Sequence, residues 1–430
     1  MERAAEIRDP IHGYIYLNQA EKELVDSWVF QRLRRIKQLA STYLTYPAAQ
    51  HTRFEHSIGT FYLADRAGRV LMDKSYIDDK KVKELRIATL LHDIGHGPFS
   101  HLIEEIMSYK YGLTHEDITH KVIKSTEIRD ILSKNGFDED KIAYLSLGLY
   151  KDYPKFLNEV IGGGLSVDMM DYLLRDSYFT GVEYGRVDVH RVINSYEVIK
   201  DSLALDSAGL YAFEALILAR YEMFRAVYFH RTVRAAEIML ARAIELADDY
   251  LGIANPKDLE PYLLRTDDTA LQELVTLDER GSIELRKAKD LALRYRDRKL
   301  LKCVYEESFM RRESLIKGIF SERRIRKEIE RKIADEAKVS EDEVFLDVPT
   351  APSIPFGAFR EALMSINLLY KGLKGLETKE LNVKDLPLVK SLEGFLDIIR
   401  VYTTQENRER VGEATLRFFR REGFEEKVSM

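Results

Sequence analysis

Val82-Lys-Glu-Leu-Arg-Ile-Ala-Thr-Leu-Leu-His-Asp93 is the stretch that decides the fold. Leu85, Ile87, Ala88, Leu90 and Leu91 leave it almost no polar face, so it predicts a helix buried around most of its circumference. Gly95, Gly97 and Pro98 then break it, the usual punctuation of a helix end. An imidazole and a carboxylate closing such a helix are costly to bury unless they are paired or bind a metal. His92 and Asp93 are therefore the first candidates for chemistry.

Working outward, Leu63, Ala67, Val70 and Leu71 fall at i, i+4, i+7 and i+8 and predict an amphipathic helix from Thr52 to Lys74, with His56 near its start. Phe213 to Tyr250 is rich in Ala, Leu, Arg and Glu and lacks Gly and Pro, which predicts continuous helix. Strand signals are sparse. Ile11 to Leu17, after Asp9-Pro10, reads as a hairpin arm, and Val344 to Val348 as a strand before a stiff connector of Pro349, Pro352 and Pro355. The expected layout is a helical body over 1–251, a charged helical region over 252–340 and a smaller unit over 341–430. The fold class is mainly α, with a few short β-strands and a smaller C-terminal α/β unit.

At 430 residues the chain can bury full cores, and no run approaches the ~18 apolar residues of a membrane span. Its charged first residues carry no secretory pattern. Cys303 is the only cysteine, which excludes an internal disulfide framework and a thiolate zinc site. A cytoplasmic setting is the expectation. The net charge of −6, from 66 basic and 72 acidic residues, argues against a nucleic-acid surface but leaves room for a small polyanion in a local pocket.

Seven of the ten histidines lie between His51 and His120. His56, His92 and Asp93, with a carboxylate from another helix, would make a mixed N/O set suited to Mn, Fe, Ni, Zn or Mg. The best fourth member is Asp168, in Ser166-Val-Asp-Met-Met-Asp-Tyr-Leu-Leu-Arg-Asp176. Gly162-Gly163-Gly164 forms a loop there and Ser166 can cap the helix that follows. Asp168, Tyr172 and Asp176 share one side of that helix, with Arg175 close to it. Taken alone, Asp168 also reads as a first-turn carboxylate favoured by the helix dipole.

These residues form the H…HD…D pattern and resemble the HD-domain metal-dependent phosphohydrolases. Longer strings are more specific: Asp9-Pro-Ile-His-Gly13, Phe30-Gln-Arg-Leu-Arg34, Ile36-Lys-Gln-Leu39, His51-Thr-Arg-Phe-Glu-His56, Leu91-His-Asp-Ile-Gly-His-Gly-Pro-Phe-Ser-His101 and Thr114-His-Glu116. They resemble the deoxynucleoside-triphosphate triphosphohydrolase branch, whose animal member adds a sterile-alpha-motif domain not read in this sequence. The likeness is close from Glu6 to Arg186, looser from Arg220 to Glu237 and indistinct beyond.

The resemblance implies an HD-domain helical core, one divalent metal ion, and cleavage of dNTP to deoxynucleoside and inorganic triphosphate. It makes His56, His92, Asp93 and Asp168 the metal ligands. His101 becomes the acid that protonates the leaving sugar oxygen, its ring held by Glu116 or Glu104, and His96 and His115 contact phosphates or position that acid. Gln38 and Asp176 match readers of the 3′-hydroxyl, Leu39 and Tyr172 residues that crowd the 2′ position, and Arg53 a phosphate contact. Asp26, Gln31 and Arg34 match a site for an activating guanine nucleotide between subunits of a homo-oligomer, a dimer or tetramer; the stretch Asp26 to Arg34 itself reads as the first turns of a helix.

Two departures stand out. Met169 replaces a phosphate-binding lysine, for which Arg175 or Arg225 would have to compensate. Ala5 and Glu237 occupy places of basic residues that grip the activator, where the basic stretch Ser321 to Lys332 could substitute; its plainer reading is a solvated face with i,i+4 ion pairs. Alternatives are an HD phosphohydrolase acting on another nucleotide or a phosphomonoester, and a non-catalytic nucleotide sensor. His12 and His51 read as local hydrogen-bonding residues, Trp28 as core or interface, and Cys303 as a small buried apolar residue.

Overall fold

Helices Arg53–Asp73 and Asp79–Leu91 pack directly on one another. Gly68 permits the approach, because a Cβ there would stand 3.1 Å from Val82 Cγ1. In this computed structural model, residues 3–311, 322–352, 365–372, 375–382, 386–388 and 395–421 are described. The fold is mainly helical, as the periodicity predicts. Leu85 and Ala88 of the central helix enter one apolar cluster with Met170, Leu173, Phe213 and Leu216. Its Ile87, Leu90 and Leu91 enter a second with Ile15, Phe30, Phe54 and Ile118. Burial on both sides is why the segment carries no polar face. A third cluster joins Phe99 and Ile103 to Met239, Ile244, Ala288 and Tyr295, and a fourth holds Ile333, Val344, Ile399, Val411 and Phe419 together.

The chain opens with an antiparallel hairpin, Ala5–Asp9 against Gly13–Leu17. The strand starts at Gly13, two residues later than the sequence pattern suggests. Asp9 Oδ1 accepts from the Ile11 and His12 amides, 2.8 Å each, and Gly13 at φ +78° completes the turn. Ten strands lie among the described residues, far more than local patterning announces. The ten-residue strand Lys302–Arg311 stands inside the stretch expected to be charged helix, and it pairs with Phe395–Thr403, which also pairs with Val344–Asp347. Tyr196–Ile199, Ser202–Asp206, Ser365–Gly372 and Gly375–Asn382 form another sheet, its middle pair parallel. Such strands are fixed by partners up to about 160 residues away, a signal no local window contains.

Two helix expectations need correction. Phe213 to Tyr250 is not continuous: Leu210–Met223 passes through a π-helical turn, Phe224–Tyr228, and restarts as Arg231–Leu251, with His230 Nδ1 accepting from the Thr232 amide. Asp26 to Arg34 does not run as one helix either. Gln19–Asp26 stops at Ser27 (ψ 144°), which caps the short helix Trp28–Gln31, and a 3₁₀ turn Arg32–Arg35 follows. Trp28 is exposed and Cys303 half-buried. Helix Arg323–Ala337 carries the i,i+3 pairs Lys327–Glu330 and Arg331–Glu328 on its charged face. Pro355 and Ser321 lie outside the described residues. No helix among the described residues is long and apolar enough to cross a membrane.

Candidate functional site

Three helices deliver the expected metal ligands to one point. His56 lies in the first turns of Arg53–Asp73, whose start is fixed by Glu55 accepting from the Thr52 amide at 2.9 Å. His92 is the C-cap of Asp79–Leu91, and Asp93 follows it. Asp168 opens Val167–Thr180, where Ser166 Oγ accepts from the Met169 amide at 3.3 Å, the cap the sequence suggests. His56 Nε2 lies 3.0 Å from Asp168 Oδ1 and 3.6 Å from Asp93 Oδ2. His92 Nε2 lies 3.4 Å from Asp93 Oδ1 and 3.7 Å from Asp168 Oδ1.

Each ring is turned by its other nitrogen. His56 Nδ1 donates to Asp171 Oδ2 at 2.8 Å, and His92 Nδ1 donates to the Thr89 carbonyl at 2.7 Å. Both Nε2 atoms are thereby aimed at the shared point, the arrangement by which outer partners orient metal-ligating histidines. Among the described residues, His92 Nε2 is buried without a hydrogen bond, and its donor set with His56 and Asp93 has a ligating geometry. These residues fit a divalent ion. The local field agrees. Burial pushes His56 down, but Asp168, Asp171 and Asp93 outweigh it and hold the ring up, to about 10. A cluster that demands positive charge this strongly suits a cation.

Asp171 is absent from the sequence-based site, yet it is the hub beneath it. Its oxygens accept from His12 Nε2 (2.7 Å), His56 Nδ1, and Arg175 Nε and Nη2 (2.9 Å each). His12 is therefore no local residue. Arg175 is fully buried between Asp171 and Asp9 and is unavailable to replace the missing lysine, while exposed Arg225 sits 3.8 Å from Glu222. Arg220 is the cation beside Met169: its Nη1 donates to Tyr172 Oη at 2.6 Å and approaches Met169 Sδ at 4.0 Å, while its buried Nε lacks a partner.

A second cluster adjoins the first. His96 Nε2 is 3.4 Å from Asp93 Oδ1, and the His96 ring stacks on His115 (4.0 Å between centroids) and meets His101 edge-on (5.1 Å). Glu104 takes both outer rings, accepting from His115 Nδ1 at 2.5 Å and His101 Nδ1 at 3.0 Å. Glu116 is exposed on the first turn of His115–Ser125, so Glu104 is the carboxylate the fold brings to His101. Burial counters it, but Glu104 holds His115 above the usual imidazole range, while burial, Arg53 and His115 keep His96 well below it. Gly95 makes the junction possible: a Cβ there would lie 2.2 Å from the Thr119 amide.

The remaining predicted residues are placed as follows. Arg53 is buried, pairs with Asp93, donates Nε to Ser100 Oγ at 2.8 Å and, among the described residues, leaves Nη2 without a partner. Gln38 Oε1 is likewise buried and unpartnered. Asp176 accepts from His51 Nε2 and Tyr228 Oη, 2.7 Å each, and His51 stacks on Phe179. Leu39 and Tyr172 pack at the edge of the cluster containing Met169. Away from these, Asp26 pairs with Lys22, Gln31 donates to the Val25 carbonyl, and Arg34 donates to Gln31 Oε1 at 2.9 Å while lying over Phe54.

Residues 53–160 match the HD domain, and residues 187–429 match the HD associated region. The chain belongs to the HD-domain family. An uncharacterised protein of Methanocaldococcus jannaschii is 39% identical over 290 residues, 65% of this HD-domain chain and 56% of that protein. The deoxynucleoside triphosphate triphosphohydrolase SAMHD1 homolog of Dictyostelium discoideum is 33% identical over 314 residues, 70% of this chain and 60% of its own length. The chain thus spans little more than half of each relative. The crystal structure of a phosphohydrolase from Bacteroides thetaiotaomicron VPI-5482 has a TM-score of 0.74 at 27% identity, over 94% of this chain and 100% of that one.

Proposed function

We propose that this HD-domain protein is a metal-dependent dNTP triphosphohydrolase, cleaving dNTP to deoxynucleoside and inorganic triphosphate. The observation that carries the reading is the convergence of His56, His92, Asp93 and Asp168 beside a His96–His101–His115 cluster held by Glu104. When bound, a divalent ion supplies Lewis acidity toward phosphate and a lowered pKa for water.

The chain's own residues do the rest. His101 donates Nδ1–H to Glu104, which leaves Nε2 as the nitrogen that gives a proton to the departing 5′ oxygen. His115, which Glu104 holds above the usual imidazole range against its burial, faces the phosphates in this reading, with the His96 ring stacked on it. Arg220 supplies the phosphate with the positive charge that Met169 cannot, and the free Nη2 of Arg53 is a further donor. Gln38 and Asp176 receive the 3′-hydroxyl. Asp176 already accepts two bonds, and a carboxylate has room for about four. Leu39 and Tyr172 crowd a 2′-hydroxyl.

Incubation with each dNTP plus Mn or Mg, followed by chromatography, tests the reaction: inorganic triphosphate in one step supports it, and pyrophosphate or single phosphate refutes it. The second reading, an HD phosphohydrolase of another nucleotide or phosphomonoester, is favoured by buried apolar Met169 beside Asp168 and predicts inorganic phosphate instead. No turnover of any phosphoester would favour a nucleotide sensor. The regulatory part of the proposal places a guanine nucleotide against Asp26, Gln31 and Arg34 in a homo-oligomer, carboxylate to N1–H and N2–H and guanidinium to O6 and N7. Full dATP turnover without dGTP or GTP, unchanged by Arg34→Ala, removes that part.

A further inference from the structure

The turn that presents His101 is held in a conformation its own residues resist. Phe99 has φ +60° and Ser100 φ +54° (ψ −124°), a region that favours glycine. No secondary-structure ladder stabilises it. Arg53 and Lys37 hold its Ser100 hydroxyl, and a further restraint comes from a segment more than 160 residues away, in the HD associated region.

Asp267, in the first turn of helix Asp267–Val275, is buried and accepts from the Phe99 amide through Oδ1 at 2.7 Å and from the Lys37 amide through Oδ2 at 2.9 Å. Ser100 Oγ closes the same circuit by donating to the Lys37 carbonyl at 2.7 Å. The buried Arg32 guanidinium binds the Leu263 and Ile94 carbonyls at 3.0 Å each and also that of His96. Tyr262 Oη donates to the Gly95 carbonyl at 3.3 Å, and its ring edge lies where a Cβ on Gly97 would be. The carboxylate thus fixes backbone one residue before Gln38 and two before His101.

We infer that Asp267 is a positioning residue for the reaction: residues 262–267 brace the His101 turn and the Gln38 segment as one unit, so the active site is built jointly by the HD domain and the HD associated region. A carboxylate suits the task because each oxygen serves one amide, and a buried carboxylate is tolerated only where its acceptors are used. Burial pushes Asp267 up, to about 6, with the two amides working against it. That is a strained group kept in place by what it holds. Asn retains one acceptor and sets an NH2 against the other amide.

The inference rests on the proposed hydrolase reading for its kinetic arm, and amide exchange tests it independently. The metal-loaded full chain is compared with Asp267→Asn, Arg32→Lys and the exposed control Asp268→Asn. In Asp267→Asn, exchange at Phe99 and Lys37 should accelerate at least tenfold while helix Arg323–Ala337 and the bound metal per chain stay as in the wild type. The kcat for dATP should fall at least tenfold in Asp267→Asn and Arg32→Lys with KM within threefold, and Asp268→Asn should match the wild type. Unchanged exchange at Phe99 and Lys37, or wild-type kcat in both variants, overturns the brace. A wild type that turns over no dNTP sinks the hydrolase reading alone, and the exchange result still decides whether the brace exists.

Discussion

Asp171→Asn should damage both the fold and the metal site, and the structure sets the size of each effect. Asp171 is fully buried and receives four donors, two on each oxygen: His12 Nε2 and Arg175 Nη2 on Oδ1, His56 Nδ1 and Arg175 Nε on Oδ2. Whichever way the asparagine turns, its NH2 faces two of those donors. Arg175, itself buried, keeps only the 2.8 Å contact with Asp9 as a charged partner. Breaking a buried charge pair from one side costs about 3–5 kcal/mol. At roughly 2.1 cal/mol/K of unfolding entropy per residue, this chain's length gives about 0.9 kcal/mol/K, so the transition should drop by about 3–6 °C. Losing the Nδ1 partner also frees the His56 ring, which should weaken metal binding about 10- to 100-fold.

Thermal denaturation and equilibrium dialysis with manganese measure the two effects. The carboxyl of Asp171 lies well below its ordinary value of 3.8: burial opposes this, but Arg175, His12 and His56 prevail. A depressed carboxyl stabilises fully above its unfolded value and loses that contribution as pH falls below it. The stability gap between the wild type and the variant should therefore be constant between about pH 5 and 6 and close by about 1.4 kcal/mol per unit below pH 4. Metal affinity within twofold and a transition within 1 °C at pH 7 would show that packing alone orients His56. A gap that widened on acidification would reverse the charge argument.

Other expectations follow from the same geometry. Asp93→Ala should remove bound metal and hydrolysis while circular dichroism keeps its helical signal; equal metal content in both proteins rules out the ligand assignment. Gly59→Ala places a Cβ 1.9 Å from Asp171 Oδ1 and 2.3 Å from Arg175 Nη2, so it should destabilise by about 1–3 kcal/mol or more, read as a lower denaturant midpoint. If Gln38 and Asp176 hold the 3′-hydroxyl as proposed, 2′,3′-dideoxy substrates should be at least about 100-fold poorer, and ATP should be turned over far more slowly than dATP. Equal rates for ATP and dATP would remove Leu39 and Tyr172 from the sugar site.

The sequence announces the parts of this protein whose constraint is local. The helix around Leu85 to Leu91 lacks a polar face because two clusters meet on it, and His92 and Asp93 stand out for the same reason. Ser166 is legible as a cap, and Asp168 as the carboxylate it introduces. What escapes is set by partners remote in the chain. Asp171 lies in the same stretch as Asp168 and Asp176, but its role depends on His12 and Arg175 turning to the back of the helix. Arg220 is one arginine among many until the packing of helix Leu210–Met223 sets it beside Met169 and Tyr172. The strand Lys302–Arg311 needs a sheet neighbour about 90 residues on, and the hairpin of Tyr196–Ile199 with Ser202–Asp206 gains its next strand about 160 residues on. Glu104 and Glu116 are equally good partners for His101 until the turn at Phe99–Ser100 decides which of them faces the ring.

The charges of the site explain why these hidden residues are needed. Asp9, Asp93, Asp168 and Asp171 bring four carboxylates within reach of His56 or its neighbours, and Arg53 and Arg175 answer three of them: Arg53 pairs with Asp93, and Arg175 divides itself between Asp9 and Asp171. Asp168 has no guanidinium. Its partners are the imidazoles of His56 and His92. The buried arginines are thus spent on holding the ring of His56 in place, and the uncompensated negative charge is concentrated at the side facing Tyr172 and Arg220. A protein that needed only stability would place an apolar helix end there. One that binds a cation there uses this imbalance, and it requires the residues behind it to be rigid.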